Sequence, residues 1–216
     1  MPVDRTQEFF HRYANDFDAI YSSRRGLVQD MINRVLRKSM RLRYERTIAG
    51  CQPIEGKTVL DVGCGPGHYC ITLAGRGAAR AVGIDFAEGM LGIAAEHAVK
   101  AGVGERCEFR RADFLEFRVE EPFDYVILMG FMDYMAEPRK VVEKAVSLCR
   151  SKAFFSFPAD GGLLAWQRKK RYVKRCDLFL YRREDLERLF SGLPGVTAAI
   201  ERISRDFFVT ATLANR

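Results

Sequence analysis

The stretch that decides the fold is VLDVGCGPGHY, residues 59–69, which predicts a buried strand, a glycine-rich turn and the start of a helix. Glycines let the backbone take positive φ angles and leave space for a ligand against bare main chain. In a doubly wound sheet this turn lies at the carboxyl end of the first strand, where ligands bind. The stretch therefore predicts a ligand site at the turn.

The spacing of the glycines distinguishes this turn from that of nicotinamide and flavin dinucleotide folds. Their fingerprint, G-x-G-x-x-G, needs a third glycine at the sixth position. Here His68 stands at that position, and Gly67 comes one place too early. Asp61, two residues before the loop, suits a ligand with a positive ammonium group and would repel a pyrophosphate. The turn therefore favours a nucleoside that carries an ammonium group.

Two further carboxylates follow the next two predicted strands. Asp85 ends the second, and its acceptor oxygens match the two hydroxyl donors of a ribose. Asp113 follows the third and could accept from an adenine amino group while Phe114 packs on the ring. A lone Asp at a strand end is usually a helix cap or turn former, and for Asp113 that alternative stays open. Three such carboxylates beside a glycine turn nevertheless indicate one site.

Strands and helices alternate around this stretch. Strands are predicted at 57–61, 80–84, 107–111, 123–129, 153–157, 196–203 and 207–213, and helices at 28–48, 68–74, 87–101, 138–149 and 183–190. Strands separated by helices build a parallel sheet, whereas the three residues 204–206 can join only an antiparallel pair. The pattern predicts an α/β fold with a doubly wound, mostly parallel seven-stranded sheet, a C-terminal antiparallel hairpin and N-terminal helices.

The composition is that of a globular protein of one domain. The chain has 216 residues, 48% of them hydrophobic and 29% charged. It contains neither an apolar run of about 20 residues nor the apolar core of a secretory signal, so we expect a cytoplasmic protein. Six cysteines without a C-x-x-C pair favour free thiols over a zinc site, and no metal is expected.

The net charge of +7 favours acidic partners such as phosphates, RNA or anionic lipid. The excess is concentrated at Arg24–Arg25, at residues 34–46 and at residues 168–175. The first two clusters are interpreted as solvated helix faces.

The segments DVGCGPG, GIDFAEGML and RADF resemble, in this order, the motifs of class I S-adenosylmethionine-dependent methyltransferases. The likeness covers about residues 13–157, and the predicted hairpin agrees with the family's reversed seventh strand. The resemblance implies S-adenosylmethionine as cofactor, with residues 61–67 at its methionine part, Asp85 at the ribose and Asp113–Phe114 at the adenine. The cofactor-binding residues that we predict are Tyr13, Tyr21, Asp61, Gly63, Cys64, Gly65, Gly67, Asp85, Phe86, Met90, Asp113, Phe114 and Met129.

The segment YANDFDAIY, residues 13–21, resembles the N-terminal lid of the small-molecule branch of that family. In that branch, aromatic residues of the lid close over cofactor and acceptor. We therefore expect residues 1–50 to form a helical lid within the same domain, and residues 51–216 to form the cofactor-binding methyltransferase domain.

The acceptor side is predicted after the fourth strand, at residues 130–134, GFMDY. Asp133 could orient an acceptor amine or take a proton, and Tyr134 could donate a hydrogen bond or stack. The alternative is that Asp133 caps a turn and Tyr134 is a core residue. His68 is a third candidate proton acceptor, because its ordinary pKa suits that role.

The same layout is loosely similar to quinone and magnesium-protoporphyrin O-methyltransferases. Asp133 stands where the porphyrin enzymes tend to have histidine, so a porphyrin is not adopted as the substrate. The N/D-P-P-F/Y motif that DNA and RNA amine methyltransferases of this fold typically carry is absent here. A nucleic-acid acceptor is therefore a minority hypothesis.

An insertion follows the fifth strand, and family members often build the acceptor pocket from this segment. It holds the only tryptophan, and six of the eight residues 168–175 are basic. Three interpretations stay open: a solvated helix, an electropositive rim for an anionic substrate, and contact with a membrane surface or RNA. The predicted substrate-binding residues are Phe131, Phe157, Trp166, Arg168 and Arg171.

The sequence supports three functional hypotheses. The leading one is a methyltransferase that acts on O or N of a small, anionic or lipid-like metabolite. The second is a methyltransferase of RNA or protein. The third is a non-catalytic regulator that binds S-adenosylmethionine. The identity of the acceptor is left open, because one fold hosts many chemistries. The oligomeric state and peripheral membrane contact are also left open.

Overall fold

The computed structural model describes residues 27–161 and 178–214, and the side chains of these segments from residue 38 onward. Their centre is one seven-stranded sheet in the order β3-β2-β1-β4-β5-β7-β6. The strands are β1 Thr58–Val62, β2 Arg80–Asp85, β3 Cys107–Arg111, β4 Phe123–Leu128, β5 Cys149–Pro158, β6 Val196–Ile203 and β7 Asp206–Leu213. β1 to β5 are parallel, and β7 runs antiparallel to both β5 and β6. The predicted fold class is confirmed.

Five α-helices accompany the sheet in the described segments. They are α1 Leu27–Gly50, α2 His68–Gly75, α3 Glu88–Lys100, α4 Pro138–Ser147 and α5 Arg183–Phe190. Short 3-10 turns lie at Gly104–Arg106 and Met132–Tyr134. None of the helices described is both long and apolar enough to cross a membrane.

Two buried clusters cover the two faces of the sheet. Alternation along β5 divides them, because Phe154 belongs to one cluster, whereas Phe155 and Phe157 belong to the other. The cluster with Phe154 includes residues of α1 and α2, and the other includes residues of α4 and α5. Helices on both faces are what near-continuous apolar strands require.

The largest error in the predicted boundaries lies between the fourth helix and the fifth strand, which was predicted to begin at residue 153 and begins at Cys149. The apolar pattern extends the fourth helix to Cys149, but α4 ends at Ser147 and Cys149 begins β5. The reason is tertiary: Cys149 pairs with Phe123 of β4, and the backbone N–H of Phe123 donates to the carbonyl oxygen of Leu148. Pairing across the sheet therefore ends the helix earlier than its periodicity indicates. The predicted lid of residues 1–50 lies outside the described residues except for α1.

Candidate active site

The glycine-rich turn is tied to β2 and takes the conformation that glycine allows. The backbone N–H groups of Gly63 and Cys64 donate to the carbonyl oxygen of Ile84, at 2.8 and 3.1 Å. Gly67 has a φ of +79°, and a Cβ added there would lie 2.9 Å from Cζ of Phe109. Both the backbone angle and the packing therefore require glycine at residue 67.

Asp85 holds this turn from the end of β2. One of its carboxylate oxygens accepts from the N–H of Gly65 and the other from the N–H of Ala87, each at 2.9 Å. The residue is half-buried, and each carboxylate oxygen has more than one acceptor position. Asp85 is thus oriented by backbone donors and keeps acceptor capacity, as a ribose-binding carboxylate requires.

Asp61 lies at the end of β1 and is only 1% exposed. Burial, and then the negative charge of Asp85, raise its pKa to about 8. The Sγ atom of Cys70 lies 4.0 Å from its Oδ2. Desolvation penalises the charged form of a carboxyl, and a cation at hydrogen-bond distance restores it. The site is therefore suited to a ligand that brings its own positive charge.

The cysteines of this region are packed inside the protein. A Cβ on Gly83 of β2 would lie 2.8 Å from Sγ of Cys64, so Cys64 occupies the space that Gly83 leaves. Burial raises the pKa values of the Cys64 and Cys70 thiols well above their ordinary value. A thiol held in its neutral form is a poor nucleophile, and these side chains fill space. Cys64 is 6% exposed, so its side chain offers little surface to a ligand.

The residues predicted at the adenine lie directly after β3. Asp113 is exposed, and its Oδ1 accepts from the N–H of Leu115 at 2.8 Å, which is the turn-forming role left open above. Phe114 is buried and meets Phe131 edge-to-face, with ring centroids 5.9 Å apart. Phe114 belongs to the core and has little exposed surface, and its packing on an adenine ring stays a prediction.

The other predicted ligand residues divide by exposure. Phe86, Met129 and Phe131 are half-buried at the carboxyl ends of β2 and β4, whereas Met90 is buried within α3. Tyr13, Tyr21, Trp166, Arg168 and Arg171 lie outside the described residues.

The predicted acceptor residues form the 3-10 turn after β4. Asp133 is 5% exposed, and its carbonyl oxygen accepts from the N–H of Phe179 at 2.9 Å. The hydroxyl of Tyr181 donates to the carbonyl oxygen of Met132 at 3.3 Å. Burial and then the charge of Asp133 raise the pKa of Tyr181. The segment that follows the insertion is thus fixed to this turn, and Tyr134 is half-buried beside it.

His68 is directed toward α3. Its ring stacks on that of His97, with centroids 6.4 Å apart and planes inclined by 24°. Desolvation by burial and then the charge of His97 lower the pKa of His68. The residue as a whole is nevertheless exposed. A neutral imidazole can accept a proton, but a role in the reaction stays a prediction.

Phe157 is not at an acceptor surface. The residue is 0% exposed. Its ring meets those of Tyr181 and Phe190 edge-to-face, with centroids 5.0 and 6.1 Å apart. β5 continues to Pro158, and Phe157 pairs with Phe207 of β7. The predicted acceptor contact is wrong, because this residue is still inside the sheet where a strand-end position was expected.

Sequence reasoning missed Arg43, which it placed on a solvated helix face. The side chain is only 11% exposed, and Nη1 donates to Oγ of Ser156 at 3.0 Å. The same Oγ accepts from the N–H of Gly130 at 2.7 Å. A Cβ on Gly130 would lie 3.7 Å from Nη1 of Arg43. A buried guanidinium thus lies beside the turn after β4. The φ of +75° by itself accounts for glycine at residue 130, and the residue periodicity of α1 contains no signal for the contact with Arg43.

A cavity of about 330 Å³ opens farther along the same sheet edge. Its lining residues are Asp160, Arg182, Arg183, Glu184, Arg202 and Phe207. The guanidinium of Arg202 lies 5.3 Å from the centre of the Phe207 ring. Three arginines against two acids give the cavity a positive balance. In the described part of the chain, no group of three or more His, Cys, Asp or Glu side chains could hold a metal ion.

Curated relatives match about half of this chain. A ubiquinone biosynthesis O-methyltransferase of Neisseria meningitidis is 37% identical over 120 residues, which cover 54% of this chain and 49% of that protein. The corresponding protein of Paraburkholderia phytofirmans is 34% identical over 104 residues, 48% of this chain and 44% of that one. The match spans about half the length of these relatives.

A solved structure and a family model complete the comparison. The magnesium protoporphyrin IX methyltransferase of Synechocystis PCC 6803, with bound SAH, superposes with a TM-score of 0.75 at 20% identity and covers 97% of this chain and 98% of that one. The family model for a methyltransferase domain matches residues 54–160. Residues 54–160 are a methyltransferase domain, and the chain has the fold of the class I S-adenosylmethionine-dependent methyltransferases. The glycine turn, Asp61 and Asp85 lie at the carboxyl ends of β1 and β2. The strand order reverses between β1 and the neighbouring β4, and this reversal is the ligand-binding switch point of a doubly wound sheet.

Proposed function

We propose that the chain binds S-adenosylmethionine and transfers its methyl group to an oxygen or nitrogen of a small, anionic or lipid-like metabolite. The observation that carries the proposal is the pair of carboxylates around the glycine turn. Asp61 is buried with a raised pKa, and Asp85 is held by two backbone donors. A dinucleotide would bring a pyrophosphate to Asp61, whereas S-adenosylmethionine brings an ammonium group.

The cofactor fits these residues part by part. Asp61 would bind the ammonium group, and the remaining acceptor positions of Asp85 would bind the ribose hydroxyls. Arg43 supplies a buried cation for the carboxylate of the methionine part, since guanidinium donors bind carboxylates well. The exposed carboxylate of Asp113 remains available to an adenine amino group.

When bound, the cofactor supplies an electrophilic methyl group on a good leaving group. The task left to the chain is to hold the acceptor in line and to exclude water. Asp133, Tyr134 and His68 are the proposed groups for orienting the acceptor or taking its proton. Asp133 is fixed between β4 and the segment after the insertion, so it could hold an acceptor at a constant position.

The class of acceptor is supported by two separate lines. The curated relatives named above are O-methyltransferases of ubiquinone biosynthesis, a small-molecule pathway. The cavity with three arginines offers guanidinium groups to a carboxylate or phosphate at the base of the insertion. Trp166, Arg168 and Arg171 of the insertion, and Phe131 beside β4, are proposed as the remaining acceptor contacts.

The domain division is part of the proposal. Residues 51–216 would form the cofactor-binding domain, and residues 1–50, with Tyr13 and Tyr21, would form a lid of the same domain. α1 already contributes Arg43 to the site, which supports a functional role for the N-terminal region.

The test is a transfer assay with methyl-tritiated S-adenosylmethionine, the purified chain and a fractionated lysate. We expect label in the small-molecule or lipid fraction, where mass spectrometry can identify the product. Label in RNA or protein would replace this proposal with the second hypothesis. Cofactor binding without label in any fraction would favour a regulator. The Asp85→Ala variant is the control, because label that persists with it would come from another enzyme.

A further inference from the structure

A buried polar network connects the N-terminal helix, the C-terminal hairpin and the turn after β4. Asp206, the first residue of β7, is 1% exposed. Oγ of the buried Ser39 donates to its Oδ2, and Nε of Arg43 lies 3.7 Å from the same oxygen. Arg43 in turn donates to Ser156, which accepts from Gly130. Neither Arg43 nor Asp206 lies within residues 54–160, which the family model matches.

The guanidinium of Arg43 forms an ion pair with Asp206 in which Nε makes no hydrogen bond. Nε is buried and has no hydrogen-bond partner among the described residues, because 3.7 Å to Asp206 is an ion-pair distance and too long for a hydrogen bond. A buried charge needs a counter-charge nearby, and Asp206 is positioned to provide it. The planar fork can therefore keep donors directed at a ligand.

Tyr69, which lies just after the glycine turn, is close to both Arg43 and Asp61. Tyr69, in the first turn of α2, has a pKa raised by burial, lowered by Arg43 and raised by Asp61. Tyr69 packs on Tyr44 of α1, with ring centroids 5.4 Å apart. Arg43 and Asp61 are thus both close enough to Tyr69 to act on its charge, and a cation and an anion near one side chain suit the two charged groups of an amino acid.

We propose that Asp206 is a positioning residue that holds Arg43 for the carboxylate of the bound cofactor. The inference rests on the proposed function, because the carboxylate belongs to S-adenosylmethionine. It makes the hairpin turn between β6 and β7 a functional part of the cofactor site. Asp206 itself does not touch the ligand and acts through Arg43.

The test compares two ligands, one with and one without the amino-acid group whose carboxylate Arg43 would bind. S-adenosylhomocysteine carries the amino-acid carboxylate, whereas 5′-methylthioadenosine has the same nucleoside without the amino-acid group. The measurement is the ratio of their dissociation constants by calorimetry. Unfolding of a variant lowers the apparent affinity for both ligands equally, so this ratio reports the site and is insensitive to the folded fraction.

We expect Asp206→Asn to reduce the preference for S-adenosylhomocysteine about tenfold, the effect of weakening one charge-assisted contact. Arg43→Gln should reduce it at least as much, and the double variant no further than Arg43→Gln alone. Asp206→Glu should restore part of the preference. The matched control is Glu201→Gln, which breaks the exposed ion pair between Glu201 of β6 and Arg46 of α1 and should leave the ratio unchanged.

An unchanged ratio in Asp206→Asn, with wild-type preference intact, would overturn this inference and leave the proposed function standing. Additive losses in the double variant would also overturn it, since Asp206 would then act independently of Arg43. Failure of the wild-type chain to bind either ligand would overturn the proposed function and the inference together.

Discussion

Replacement of Asp61 by Asn separates the stability of the protein from the binding of its ligand. Burial and the charge of Asp85 raise the pKa of this carboxyl from 3.8 to about 8. Below about pH 4 the group is protonated in both the folded and the unfolded chain. Between about pH 4 and pH 8 only the folded chain keeps the proton, so the free energy of unfolding falls as the pH rises, at about 1.4 kcal/mol per pH unit.

At pH 7 this difference amounts to roughly 4 kcal/mol, because the unfolded carboxyl is already ionised about three pH units above its ordinary pKa. Asn is neutral at every pH and similar in shape. We therefore expect Asp61→Asn to stabilise the unliganded chain at pH 7 by up to roughly that amount, and to have little effect near pH 4. Urea unfolding at several pH values measures this difference.

Ligand binding should respond in the opposite direction. The ammonium group of S-adenosylhomocysteine binds the ionised carboxylate, so the wild-type affinity should rise about tenfold between pH 6 and pH 7, with about one proton released. The range ends near pH 7.5, because an α-amino group loses its own proton at about pH 8. Asp61→Asn should bind at least about tenfold more weakly, and without this pH dependence.

Calorimetry in two buffers of different ionisation enthalpy measures both the affinity and the proton release. A wild-type affinity that is flat from pH 6 to pH 7.5 would refute the reasoning. So would an Asp61→Asn chain that is less stable than wild type at pH 7, since the buried charge would then be compensated within the protein.

Three further substitutions test the geometry. Gly67→Ala should destabilise the chain by about 2–4 kcal/mol in urea unfolding, because it combines a positive φ with a contact at 2.9 Å, whereas Gly65→Ala, with nothing within 4 Å, should cost about 1–2 kcal/mol. Asp85→Ala should weaken S-adenosylhomocysteine binding about a hundredfold by removing the ribose acceptor and the anchor of the turn, and near-wild-type affinity would contradict that role. Phe157→Ala should destabilise the chain by about 3–5 kcal/mol because it removes a core side chain, whereas Leu115→Ala, at an exposed residue, should cost under about 1 kcal/mol. Equal small effects of the two substitutions would contradict the burial of Phe157.

The parts of the site that could be predicted are those encoded locally. The glycine turn and the carboxylates Asp61 and Asp85 each lie within a few residues of a strand end, and in a parallel sheet those ends meet at one edge. Asp113 was predicted with two roles open, and its turn-forming role is a bond to a residue two positions away. Local spacing determines contacts of this kind.

The parts that could not be predicted depend on contacts between distant segments. Arg43 has the composition of a solvated helix residue, but its partner Ser156 is 113 residues away. Phe157 is the last residue of the predicted fifth strand, and pairing with β7 continues the strand to Pro158. The end of α4 at Ser147 has the same cause, since Leu148 and Cys149 pair with β4. Periodicity within one segment contains no information about these partners.

The most direct test of the central claim is calorimetry of the purified wild-type chain with S-adenosylhomocysteine and, separately, with NAD. We predict binding of S-adenosylhomocysteine to one site per chain, displaced by S-adenosylmethionine and weakened about a hundredfold in Asp85→Ala, and no binding of NAD. Binding of NAD without binding of S-adenosylhomocysteine would contradict the assignment of Asp61, Asp85 and the glycine turn to a methyl-donor site.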